Sequence, residues 1–329
     1  MNVIQRALVL GALQLAASSV PRDAAAQAAF PAKPITIVVP AAAGGPTDTV
    51  ARLLAESMTR TLGQTVLIEN IGGAGGTLAM TRVAKASPDG YTLAVWHIAQ
   101  ATAPALYDNL KYDAVNDFDP LGRITDVPMT IVSKTAVPAK TIKELLDWIR
   151  AEPAKITYGH AGVGSASHLC WLVLMKELGV RMEGIAYRGT GPAMNDLVSG
   201  QFDVMCDQTT GTTNQIQAGR IKGYAVTTKS RVSSLPELPT LDQSAIPGFE
   251  VSAWHAMWAP KGLPKPATDT LVAALQAALK DRKVIERFAS LGTEPVPLEL
   301  ATPDALKAQL AAEVKRWDTV IKAAGVKGN

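Results

Sequence analysis

The chain has 329 residues, 47% apolar, 19% charged and 5% aromatic, with 32 basic against 29 acidic side chains and a formal net charge of +3. That much apolar material fills real cores and, at roughly 100–200 residues per domain, suggests two domains, which excludes a disordered or fibrous chain. The even charge balance, without a block of like charges, argues against nucleic acid as a partner, and two cysteines exclude a disulfide scaffold and a four-cysteine zinc site.

Residues 1–28 read as a cleavable secretory signal peptide. Arg6 precedes the apolar run Ala7–Leu13, which resumes at Leu15–Ala17, and Ala26-Gln27-Ala28 supplies a small-x-small cleavage signal. The run is too short to span a bilayer, which takes about 20 apolar residues, and no later run is longer. The expected location is the periplasm. Export permits a disulfide between Cys170 and Cys206, but spacing alone does not fix their distance in space. Two buried free thiols acting as small hydrophobes are the preferred reading here.

Strand and helix signals then alternate. Ile35–Val39 is a β-branched buried-strand pattern ending at Pro40, and the small-residue loop Ala41–Thr47 leads into a helix that Gly63 can close. Val66–Glu69 is a second strand, Gly72–Gly76 opens a helix through Val83, and Tyr91–Trp96 is a third strand. A stretch read as loop runs to Gly122. Thr130–Val132 is a strand, Thr141-x-x-Glu144 a capping box, and Ile156–Tyr158 a strand before a Ser165–Leu178 helix stopped by Gly179. Gly184–Tyr187, Val204-Met205 and Tyr224–Val226 read as strands, with helices at Pro192–Val198, Thr270–Leu279, Val284–Leu291 and Pro303–Ala324. This rhythm predicts an α/β fold with mostly parallel sheets flanked by helices. Turn-rich segments near Ala136–Pro138 and Leu235–Gly248 suggest two crossings. One lobe is then residues 29–127 plus 251–329, the other 128–250, with a cleft at the carboxyl ends of the strands.

Enzyme motifs fail. The histidines form no H-E-x-x-H, so no metal site is expected. Gly162-Val163-Gly164-Ser165-Ala166 lacks the glycine a nucleophile elbow needs at position 167, and His168 lies on the same helix face as Ser165. A secreted serine hydrolase using Ser165 and His168 is the alternative. Neither glycine-rich loop fits a dinucleotide or nucleoside-triphosphate motif, so no cofactor is expected.

Two loops carry a coherent signal. Ala41–Asp48 and Gly159–Ser165 each follow a strand, are rich in small residues and end at a helix start. Such residues let a ligand approach the backbone, where first-turn N–H groups lack internal partners and the helix dipole favours an anion. Two such ends can hold a carboxylate without arginine, with Thr47 and Ser165 as added hydroxyl donors. Taken singly, each loop is better explained by Asp48 and Ser165 as helix caps and by the glycines as turns; two such loops, one per lobe, favour binding.

With Pro34–Pro40, Gly44-Gly45-Pro46-Thr47-Asp48, Glu69-Asn70 before Gly72–Gly76, Ser87-Pro88-Asp89-Gly90-Tyr91, Gly162-x-Gly164-Ser165-x-x-His168 and Tyr187-Arg188-Gly189, the sequence resembles the Bug/TctC family. These are solute-binding proteins of tripartite tricarboxylate transporters, and the likeness spans the mature chain. It implies a two-lobed periplasmic-binding-protein clamp of the Venus flytrap type, monomeric and without catalytic residues, serving a membrane permease. The positions it assigns to a ligand carboxylate are Ala43, Gly44, Gly45, Thr47 and Asp48 in one lobe, and Gly162, Gly164, Ser165 and His168 in the other.

The distal pocket departs from the family pattern. Trp96-His97-Ile98-Ala99-Gln100 stands where family members often carry small or hydroxyl residues, and His160 is a less usual loop residue. The Trp96/His97 substitution suggests a planar ligand, an aromatic carboxylate such as a phthalate isomer, with Gln100 and His160 as further pocket candidates; a packed Trp96 with a satisfied His97 explains it equally. Arg188, Asp207, Gln208 and Trp254 are further distal candidates. Arg188 would pair with a second carboxylate or is equally a solvated surface arginine, and Asp207 would cap or orient donors rather than contact an anion. Aliphatic di- or tricarboxylates and amino acids are the alternative cargo.

Overall fold

The computed structural model describes residues 30–328; the expected signal peptide lies outside them. Strand β1 (Ile35–Val39) is flanked on both sides by parallel partners, β2 (Val66–Asn70) and β3 (Thr92–His97). Ile35, Ile37, Val38 and Val39 are fully buried, as a strand covered on both faces requires. Strand β9 (Ser252–Pro260) lies antiparallel against β3, and β4 (Phe118–Ser133) antiparallel against β9.

Strand β4 ties the molecule together. Its first part, Phe118–Pro128, pairs with β9, while Met129–Ser133 runs between β7 (Val204–Gln208) and β8 (Lys222–Val226). Strands β5 (Thr157–His160) and β6 (Glu183–Ala186) extend this second sheet parallel to β7. The path is β2-β1-β3-β9-β4-β7-β5-β6, with β8 beside β4. In each lobe a single strand runs against the rest, β9 in one and β4 in the other.

The helices begin and end where the local chemistry dictates. Helix α1 (Pro46–Leu62) has Pro46 in its first turn and stops at Gly63, whose φ of 65° is left-handed. Helix α2 (Thr77–Ala84) follows a 3-10 turn at Ala74–Gly76, and α3 (Ala99–Leu106) follows β3. Thr141 caps α4 (Ile142–Ala151), accepting from Glu144 N, but the Glu144 carboxylate returns to Lys140 N rather than Thr141. Ser165 caps α5 (Ala166–Leu178), and α6 (Thr190–Val198) and α7 (Thr209–Gln217) start behind β6 and β7. After α8 (Leu241–Ser244) come α9 (Lys265–Lys280), α10 (Arg282–Ser290) and α11 (Pro303–Ala324).

One apolar cluster, around Leu54, Met58, Leu93, Leu271 and Phe288, fills the first lobe. A second runs through Trp96, Leu106, Ile131, Trp171, Trp254 and Trp317, and so passes from one lobe to the other.

Three features differ from the sequence reading. The stretch read as loop holds α3 and the first part of β4, where Pro120, Gly122 and two register shifts break the strand pattern. Strand β9 carries no alternation because every residue from Ala253 to Pro260 is buried. Cys170 of α5 and Cys206 of β7 form a disulfide, their Cα atoms 6.2 Å apart, which overturns the free-thiol reading. Helix α5 packs on β7, a proximity that 36 residues of separation does not reveal.

Candidate functional site

Strand ends from both lobes converge on one small cavity. Ala41 follows β1, Trp96 and His97 end β3, Ala161 follows β5, and Asp207 and Gln208 end β7. The starts of α1 (Gly45, Pro46, Thr47), α5 (Ser165, Ala166, Ser167) and α6 (Thr190) complete the wall. All the contributing strands present their carboxyl ends, as ligand sites of α/β sheets do. The free space is about 20 Å³, roughly one water molecule; the two lobes are shut on it.

The hydroxyl groups expected to donate into this space are already committed. Ser165 Oγ donates to the Gly162 carbonyl at 2.7 Å and accepts from His168 N at 3.3 Å. His255 Nδ1 lies 3.1 Å from the Ala253 carbonyl, which only accepts, so Nδ1 carries the proton. His255 Nε2, 3.1 Å from Thr47 Oγ1, then accepts the Thr47 proton. Burial lowers His255 to about 4, keeping it neutral. Two backbone donors are spent as well: Gly44 N on the Asp48 carboxylate at 2.9 Å, and Gly164 N on His168 Nδ1 at 3.3 Å. What remains for an anion is the first-turn N–H groups without a helical acceptor at Thr47 in α1, where Pro46 has none, and at Ala166 and Ser167 in α5, where His168 N is spent.

Among the described residues no lysine or arginine lines the cavity. Burial, and then the neighbouring His255, push His97 well below its usual range, and its Nδ1 accepts from Ala99 N at 3.1 Å. Burial, and then His160, bring His168 down to about 3; burial also lowers His160, whose ring centre is 4.8 Å from that of His168. The histidines near the cleft are therefore neutral. Among the described residues the one carboxylate in the wall is Asp207, 1% exposed; the Gln208 amide and Thr190 hydroxyl approach it without reaching hydrogen-bond geometry, and Gln208 Oε1 also lacks a partner. Burial pushes Asp207 up to about 7, against the Gln208 amide and the Thr190 hydroxyl, which pull it down.

Of the residues singled out in the sequence, Gly45, Thr47, Trp96, His97, Ser165, Asp207 and Gln208 meet in the cavity wall. Trp96 has one face covered by the His97 ring at 3.8 Å. The others lie elsewhere. Asp48 braces the α1 start, accepting also from Arg52 Nε at 2.9 Å and Asn70 Nδ2 at 3.0 Å. Gln100 is buried and donates to the Ala114 carbonyl at 2.9 Å. Trp254 Nε1 donates to Glu313 Oε2 at 3.1 Å, an oxygen shared with Trp317 Nε1, and so belongs to the core beneath α11. Arg188 is exposed on a separate surface groove with Gly162. Ala43 and Gly44 are exposed at the tip of their loop. His160 and His168 pack together behind the α5 start rather than in the wall.

Several loop glycines serve the contact between the lobes rather than a ligand. A β-carbon at Gly75 would overlap the Val163 carbonyl oxygen, one at Gly72 the Arg188 carbonyl, and one at Gly191 would stand 2.7 Å from the Ala43 carbonyl. One at Gly162 would meet Gly75 N at 3.2 Å, and one at Gly164 would overlap Leu106. Hydrogen bonds lace the same seam: Tyr107 Oη to Val163 O at 3.0 Å, Thr102 Oγ1 to Gly164 O at 3.1 Å, and Ala42 N to Arg188 O at 3.0 Å.

Thr190, Ser167 and His255 escaped the sequence reading. Gly189-Thr190 before α6 repeats the strand, glycine and helix-start pattern of the other two loops and was legible on that ground. His255 sits on a strand that the pattern hid. The serine-hydrolase alternative has no geometry: Ser165 Oγ bonds the backbone of His168, while the imidazole Nδ1 bonds Gly164.

Among the described residues no helix is long and apolar enough to cross a membrane. Residues 50–326 match the model of the tripartite tricarboxylate transporter family receptor. The periplasmic binding protein BugD is 52% identical, with a TM-score of 0.88 over 91% of this chain and 99% of its own. MatC from Rhodopseudomonas palustris, solved with bound malate, is 40% identical, with a TM-score of 0.85 over 89% and 100% of the two chains. A second R. palustris protein, solved with adipate, is 30% identical, with a TM-score of 0.86 over 91% and 99%. The chain belongs to the tripartite tricarboxylate transporter receptor family, TctC/Bug, whose members are periplasmic solute-binding proteins and not enzymes.

Proposed function

We propose that this protein works in the periplasm, closing two lobes on a small organic carboxylate and presenting the loaded form to a membrane permease. The observation that carries the reading is the cation-free cavity at the strand carboxyl ends, walled by helix starts from both lobes. Neutral N–H groups at such starts hold a carboxylate through dipoles and relayed waters. Residues 29–127 with 251–329 act as one lobe and 128–250 as the other, a division supported by the change of β4 partners at Pro128/Met129. The working unit is a monomer, which light scattering checks.

A compact aliphatic acid is favoured because the relatives solved with ligand hold malate and adipate. A second reading, an aromatic diacid such as a phthalate isomer, is favoured by Trp96 and His97 in the wall; either acid requires the lobes to stop short of the observed closure, the larger one by more. Thermal melts with succinate, L-malate, L-aspartate, adipate, citrate and phthalate decide. A true ligand at 100 times its Kd stabilises the fold by about 2.7 kcal/mol. If only phthalate raises Tm the compact reading fails, and if no acid does the receptor assignment to carboxylates fails.

A further inference from the structure

We propose that Asp207 accepts a hydrogen bond from the ligand, so that the cargo is a hydroxy- or amino-substituted carboxylate rather than a plain acid. This rests on the receptor reading above and narrows it. The α1 and α5 starts offer N–H donors, and neutral His97, whose Nδ1 accepts from Ala99 N, adds its Nε2–H. The wall also holds acceptors: both oxygens of Asp207, Gln208 Oε1, and Thr47 Oγ1, whose proton is given to His255. An anionic head group satisfies the first set and leaves the second set unmatched.

Asp207 is 1% exposed, and among the described residues no lysine, arginine or histidine forms an ion pair with it. What packs around it is uncharged: Thr190 at the start of α6, Pro46 of α1, and the first turn of α7 at Gly211. A buried carboxylate approached only by the Gln208 amide and the Thr190 hydroxyl, neither in hydrogen-bond geometry, is unfavourable, since buried carboxylates are normally paired or hydrogen-bonded. Its burial-raised proton affinity fits a group whose partner arrives with the ligand. A second ligand carboxylate at this position would set like charges together, whereas an alcohol or ammonium group supplies the missing proton. The ligand is thereby oriented, with its carboxylate on the helix starts and its donor on Asp207.

The test is calorimetric titration at pH 8 of the purified protein with succinate, L-malate and L-aspartate, equal in chain length and differing in the donor. The wild type is expected to bind at least one donor-bearing acid about tenfold or more tighter than succinate. Asp207→Leu, which removes the acceptor, should bring the acids within about threefold of one another, and the isosteric Asp207→Asn should lose preference for an ammonium while keeping part of that for a hydroxyl. Malate against aspartate thus separates the two donors. Equal wild-type affinity for all three acids overturns the inference, as does a preference that survives in Asp207→Leu. Binding of succinate in either case leaves the receptor reading standing; failure of all carboxylates to bind removes both.

Discussion

Replacing Gly75 by alanine puts a wedge between the lobes. The new β-carbon overlaps the Val163 carbonyl oxygen and stands 2.6 Å from Tyr107 Oη, where ordinary contact begins at 3.4 Å. Relief takes a separation of about 1 Å at the seam, enough to break the Tyr107–Val163 and Thr102–Gly164 hydrogen bonds, now 3.0 and 3.1 Å long. At ~0.5–1.5 kcal/mol each, the closed state loses ~1–3 kcal/mol. Ligand affinity should fall about five- to 150-fold. Gly219→Ala is the control. Its φ of 65° matches the 59° of Gly75, but nothing lies within 4 Å of the added carbon. Both variants carry the left-handed backbone penalty of ~1–2 kcal/mol and should melt lower; only Gly75→Ala should bind weakly. Titration calorimetry with L-malate and succinate, beside thermal melts, checks this. Wild-type affinity in Gly75→Ala, or an equal loss in Gly219→Ala, refutes the wedge.

Removing the disulfide by Cys170→Ala with Cys206→Ala should cost ~4 kcal/mol for a 36-residue separation in the chain-entropy view, read as a lower urea midpoint that reductant does not lower further. His255 titrates near 4 in the folded chain and near 6.5 when unfolded, so its neutral form stabilises the fold fully above pH 6.5. That contribution is lost as pH falls through 4, with ~2 kcal/mol gone at pH 5; His255→Asn should flatten the decline in urea melts between pH 7.5 and 5. Asp207 runs the other way, folded near 7 against 3.8 unfolded. Its contribution is full below pH 3.8 and lost as pH rises through 7, so Asp207→Asn should gain stability on the wild type at pH 8 and not at pH 4.

The helix-start loops could be read directly because their signals are local. Pro46 in a first turn, Ser165 as a cap and Gly63 and Gly179 as stops act within a few residues. What the sequence hid depends on partners distant along the chain. Strand β9 is buried on both faces and shows no period, and the Pro120 and Gly122 bulges disguise β4. Small residues have two physical uses, and the sequence cannot tell them apart. Gly72, Gly75 and Gly162 admit the facing lobe's backbone, while Gly45 lies in the cavity wall. Trp254 is a distal candidate by type alone, yet it is tied to Glu313 in the core; Arg188, open between charge pairing and a solvated surface, faces outward. The roles of Thr47 and Ser165 turned on where their protons go, which His255 and the Gly162 carbonyl decide.

The most direct measurement is a crystal structure of the protein with L-malate or succinate bound. The account predicts closed lobes and a carboxylate within about 2.7–3.2 Å of the first-turn N–H groups at Thr47 and at Ala166 or Ser167. No cation should lie beside it. A carboxylate seated on Arg188 in the outer groove, or lobes held open around the ligand, would contradict it.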